Sequence, residues 1–284
     1  MGEMYSKKET ELMELGRRKI GELVAAVGVV LGLIALWTSY VDTKTMGGVT
    51  AKYADDRTVM AAVIIVLGLA ACCLVVSLLG AADLDLVAAT AGAAGFGFFL
   101  FVPASYAFKS LDWVGTGGWL GICAGLIPLG AGVARFAARR RSDAKTPGVN
   151  PAIAVAAIGL VLIVIGIWAA RTGRPGYSLP GRGTYWDTSV SGHALGLLML
   201  VLAIASALLI ASAVSSRSGL LADLALIVSG ITAGLAMAEG IAAFDAMSNG
   251  AWMELIGGFT LLLGLIGARV LKFPAMRKAS ASSD

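Results

Sequence analysis

Charge is what this chain has least of. Asp, Glu, Lys and Arg make up 14% of the 284 residues, against 58% hydrophobic residues, and the mean hydropathy is +0.84. A soluble domain carries about a quarter charged residues, so the deficit excludes an ordinary water-soluble fold and leaves no polar sequence for a second, soluble domain. Histidine occurs once, at His193, and cysteine three times, at Cys72, Cys73 and Cys123, all three cysteines inside apolar runs. Cys72 and Cys123 fall at depths that differ by roughly 12 Å, beyond the reach of a disulfide. The cysteines therefore read as small packing residues, and a dedicated zinc or haem site is not expected. Recognisable catalytic motifs are missing as well. There is no Walker-type phosphate loop, no His-Glu zinc-protease helix, no nucleophile elbow and no Glu-x-x-His pair. Neither catalysis nor a cofactor is expected. Nucleic acid is not an expected partner: the net charge is +4, but Lys and Arg gather at the ends of apolar runs, where they set membrane topology.

What the chain does have is apolar runs of membrane-spanning length. They fall at about residues 20–41, 58–79, 84–107, 118–138, 151–171, 192–213, 219–243 and 251–271. The first of them contains Val24–Trp37, VAAVGVVLGLIALW, which returns 131 positions later as Val155–Trp168, VAAIGLVLIVIGIW. Eight of the fourteen positions are identical, including Gly28/Gly159, Ile34/Ile165 and Trp37/Trp168. Chance among apolar helices gives roughly two or three, so the pattern reads as an internal duplication. Fainter matches follow: Asp85-Leu86 with Asp223-Leu224, Trp119 with Trp252, and Ala134-Arg135 with Ala268-Arg269. The expectation is an all-α integral membrane fold of eight transmembrane helices, arranged as two tandem four-helix bundles of the same orientation. An amphipathic segment at 1–19 precedes the first repeat at 20–141. A linker at 142–150, marked by Pro147 and Gly148, leads to the second repeat at 151–272 and a tail at 273–284. The first run exits through Ala35–Tyr40 without a small-x-small cleavage site, so it reads as a retained span rather than a signal peptide.

Basic residues set the orientation. Arg17, Arg18 and Lys19 precede the first run, Arg135, Arg139, Arg140, Arg141 and Lys145 follow the fourth, and Arg269, Lys272, Arg277 and Lys278 follow the eighth. With four spans per repeat these clusters share one side, which the positive-inside rule makes cytoplasmic, with both termini. The long loops 41–57 and 171–192 are then outside. Trp37, Tyr40, Trp113, Trp119, Trp168, Tyr185, Trp186 and Trp252 collect near that outer interface, as an aromatic belt does.

Small residues recur at helical spacing: Gly28 and Gly32, then Gly117, Gly121 and Gly125, then Gly230 and Gly234. Such faces let helix backbones approach closely. Asp85 and Asp223 read as helix N-caps. Ionisable residues within spans are the default functional candidates. Glu239 and Glu254 lie near the outer ends of two consecutive runs joined by a short connection. They are placed to bind a cation or share a proton at one depth, with His193 on the same face. The competing reading puts both in the headgroup layer, solvated or paired with Arg171 or Arg174.

The four-helix module, with its largest outer loop after the first helix, is similar in layout to claudin-like proteins. With the basic start Arg17-Arg18-Lys19, an apolar helix and the Trp37-Thr38-Ser39-Tyr40 exit, it also resembles uncharacterised four-span membrane proteins of high-GC bacteria, over the start of each copy and more fully in the first. The paired loop cysteines of claudins are absent. The resemblance implies a four-helix module in the bacterial inner (plasma) membrane and carries no activity. Sparse polar residues and abundant small-residue faces point to a non-catalytic scaffold, anchor or accessory subunit. Its partners would be the lipid bilayer and other membrane subunits or a second copy. The alternative is a small-solute or ion transporter or channel that uses Glu239 and Glu254.

Overall fold

In a bilayer, peptide groups can be satisfied within a helix without help from water, and helices are what these runs form. The computed structural model describes residues 27–40 apart from 29, scattered positions from 42 to 68, 85–106, 112–139 apart from 113, 151–169, 190–216, 219–242 and 249–270. They fall into eight helices. Helical positions at 27–37 belong to α1 and those between 60 and 68 to α2. Then come α3 (Asp85–Tyr106), α4 (Thr116–Arg139), α5 (Pro151–Trp168), α6 (Val190–Ser216), α7 (Gly219–Ala242) and α8 (Asn249–Val270). Every end of α3 to α8 lies within three residues of the expected one.

Four helices hold stretches long and apolar enough to cross a membrane: Pro151–Trp168, Leu195–Ser216, Leu220–Ile241 and Asn249–Ala268. Two shorter apolar stretches, Ala89–Phe101 and Thr116–Gly130, lie in α3 and α4. The chain is a multi-pass membrane protein. The amphipathic segment 1–19, the linker 142–150, the tail 273–284, the loop residues 171–189, Cys72, Cys73 and Trp113 lie outside the described residues.

Helices α5 to α8 form a four-helix group. The most extensive packing is of α5 on α8; α8 also packs on α7 and α7 on α6, while α5 and α6 touch less. On α7, Gly240 abuts Ala251 and Leu255 of α8, and Gly258 of α8 abuts Ala233 and Met237. Later residues on one helix meet earlier ones on the other, so the pair is antiparallel. α3 packs on α4 and, across the middle of the molecule, on α7. α1 reaches α4 at Gly28, where a β-carbon would lie 2.5 Å from Pro128 Cδ and 3.0 Å from the Ala124 carbonyl. Gly159 of α5 meets α8 in a comparable way, at the Gly257 carbonyl and Leu261.

One end of the molecule is tied by backbone hydrogen bonds. Tyr40 N donates to Ala51 O (2.9 Å), Gly115 N to Tyr40 O (2.8 Å) and Gly117 N to Ser39 O (2.7 Å). An isolated antiparallel bridge joins Ser39 and Lys52. The end of α1 is thus clasped to the start of α4. Trp37 and Trp119 flank this clasp, and Trp168 and Trp252 occupy the matching ends of α5 and α8. All four are exposed, as indoles at a membrane interface are.

One expectation is corrected. Asp223 is not a helix cap: α7 starts four residues earlier, at Gly219, because Leu220, Leu221 and Ala222 extend the helix toward its N-terminus. Asp223 is buried in the second turn. Asp85 does open α3.

Candidate functional site

The carboxylates of the α5–α8 group are its chemically distinctive feature. Glu239 lies about one turn from the end of α7, and Glu254 about one and a half turns inside the start of α8. The contacts of Gly240 with Leu255 and of Gly258 with Met237 fix the register of the two helices. Continued between them, that register sets Glu239 and Glu254 at one level. Both are removed from the surface: Glu239 is 6% exposed and Glu254 0%. Arg171 and Arg174 lie outside the described residues, and neighbouring helices cover both carboxylates although each lies near a helix end.

Their side chains leave on different flanks. Glu254 turns toward α5, where a β-carbon on Gly166 would lie 2.6 Å from Glu254 Cγ. Glu239 falls two turns beyond Thr232 on the side of α7 that faces α6, since Thr232 itself meets Ser206. His193 is in the first turn of α6, and its side chain lies outside the described residues. Among the described residues, no group of three or more His, Cys, Asp or Glu side chains could hold a metal ion.

A polar contact at mid-depth was not singled out from the sequence. The single hydroxyl proton of Thr232 goes to Val228 O (2.8 Å). Ser206 therefore donates to Thr232 Oγ1 (3.0 Å). Ser229, also on α7, is fully buried, and its Oγ has no hydrogen-bond partner. The signal was present, hydroxyl residues inside apolar runs, but their pairing depends on which helices meet. Thr232→Val should cost about 1 kcal/mol, the usual worth of an interhelical hydroxyl bond in a membrane protein. Thr232→Ser should cost half as much or less. Thermal unfolding in detergent reads the difference.

The glycines have separate partners. Gly28 meets α4, and Gly32 is buried. The three glycines of α4 do not form a single seam. Gly117 abuts the Thr38 and Ser39 carbonyls at the end of α1, while Gly121 and Gly125 take Phe99 and Phe96 of α3. Gly230 and Gly234 lie on α3, against the Thr90 and Ala94 carbonyls. Cys123 is a free thiol on the exposed side of α4.

Comparison with protein-family models, curated proteins and solved structures finds no match for this chain.

Proposed function

We propose that this protein is a non-catalytic scaffold, anchor or accessory subunit of a larger membrane assembly, built as two tandem four-helix bundles of the same orientation with both termini cytoplasmic. The observation that carries the reading is the seam between α3 and α7. There Gly97 abuts the Ile231 carbonyl, Gly234 the Ala94 carbonyl and Gly230 the Thr90 carbonyl. Backbone against backbone leaves no width for a solute path between α3 and α7 at these contacts, and a close seam suits a structural part. The duplication is supported by Gly28 and Gly159, which correspond in the repeat and each seat a first helix on a fourth. The three basic clusters support the orientation.

The test is gentle purification of the full chain from its native membrane, with mass spectrometry of what accompanies it. A stable, stoichiometric membrane partner is the expected result. A clean monomer would sink the accessory-subunit reading.

A second reading, ion or solute transport, is favoured by the buried Glu239 and Glu254 at one level. It requires that Glu239→Gln with Glu254→Gln lower flux in proteoliposomes.

A further inference from the structure

A hydroxyl inside an apolar helix has a partner close at hand, the carbonyl one turn back on its own helix. Thr232 uses it, donating to Val228 O (2.8 Å), as Ser216 does at Ser212 O (2.6 Å). Ser229 does not. Its Oγ is fully buried and has no hydrogen-bond partner, so it is turned away from the Ala225 carbonyl. The face it occupies follows from its neighbours on α7. Three residues on, Thr232 meets Ser206 of α6. Four and eight residues on, Ala233 and Met237 meet Gly258 of α8. Positions three and four apart share a helix face, so Ser229 lies in the wedge between α6 and α8, one turn from the Ser206–Thr232 pair.

We propose that Ser229, together with the Ser206–Thr232 pair, binds an internal water molecule at mid-depth between α6, α7 and α8. This goes beyond the scaffold reading and does not depend on it. A buried hydroxyl left alone is costly, and buried water is the usual remedy, making about three hydrogen bonds to such groups. The bonds here close on one molecule. Each hydroxyl has one proton to give and two lone pairs to accept with. Thr232 gives its proton to Val228 O and receives that of Ser206, which leaves it one lone pair. Ser206 has given its proton and keeps both lone pairs. Ser229 has its proton still to give. One water accepts the proton of Ser229 and donates its own two to Ser206 Oγ and Thr232 Oγ1. The spacing suits it: β-carbons three residues apart on a helix are about 5–6 Å from each other, and two hydrogen bonds of about 2.8 Å span that gap. The ligand is neutral because the carboxylates of α7 are far off. Asp223 is six residues before Ser229 and Glu239 seven beyond Thr232, about 9 and 10 Å along the axis. α6 is the least buried of the four long spans, so the water ties it to α7 where packing alone holds it least.

Two measurements on the full chain test the site together. In lipid bilayers, with isotope-labelled serine, solid-state NMR follows polarisation from water protons to the serine side-chain carbons, assigned by comparison with S206A and S229A. Transfer to both Ser206 and Ser229 is expected, and S229A should abolish it at Ser206. No transfer to either serine, or transfer to Ser206 that persists in S229A, overturns the site. In detergent, S229A should lower the thermal midpoint, and S206A should lower it less in the S229A chain than in wild type, because the shared water is already lost. A higher midpoint for S229A, or losses that simply add, overturns the bridge; these are the results expected of a hydroxyl that turns back onto Ala225 O. Coupled losses without transfer from water mark a direct Ser229–Ser206 bond and overturn the water.

Discussion

Replacing Gly234 with leucine is expected to abolish recovery of a folded, monodisperse protein. A single β-carbon at this position already falls within the Ala94 carbonyl of α3, and a backbone carbonyl cannot rotate aside as a side chain can. Relief requires the two helices to separate, which costs every close contact along the α3–α7 seam. Overpacking of a core typically costs 1–3 kcal/mol, and here about 3 kcal/mol is the lower bound, because backbone rather than side chain must move. The control is Gly130→Leu. Gly130 is exposed on α4, and a β-carbon there meets nothing within 4 Å. A side chain added to a lipid-facing site should change stability by less than about 0.5 kcal/mol. Size-exclusion profiles and thermal midpoints of the two variants decide the matter. A Gly234→Leu protein that behaves like Gly130→Leu would mean that α3 and α7 are not held in close contact there.

Glu254→Met is also expected to lower stability, by about 1–3 kcal/mol. Methionine keeps the unbranched stem that lies against Gly166, but its thioether cannot replace the polar interaction that the buried carboxyl makes. The group on the other side of that interaction is left unsatisfied. The loss should appear as a lower thermal midpoint in detergent, with unchanged elution volume. Glu239→Met should lose less, because Glu239 retains some exposure. A higher midpoint for Glu254→Met would mean that burying the carboxyl costs the fold more than its contact returns.

The helices were legible because run length and turn residues are local properties. The three-residue overrun of α6 also has a local cause: Ser215 and Ser216 bond back to Ser212 O (3.2 and 2.6 Å). The site was legible only along the helix axis. Position in sequence gave Glu239 and Glu254 a common level, but not the side of the helix on which each leaves, and that side decides whether neighbouring helices cover them. Gly166 was unreadable because its significance lies in the residue opposite, 88 positions later. Ser206 and Thr232 were hidden for the same reason. Asp223 was misread because its likeness to Asp85 was taken to extend to the helix start, whereas α7 begins a turn earlier relative to it.

Gly28 rests on Ala124 and Pro128, and Gly159 on Gly257. In each case the earlier helix finds its seat on one made about a hundred residues later, which at typical synthesis speeds is roughly 5–20 s of elongation. Through that interval the glycine has nothing to rest on: α1 is seated only once α4 has been made, and α5 only once α8 has.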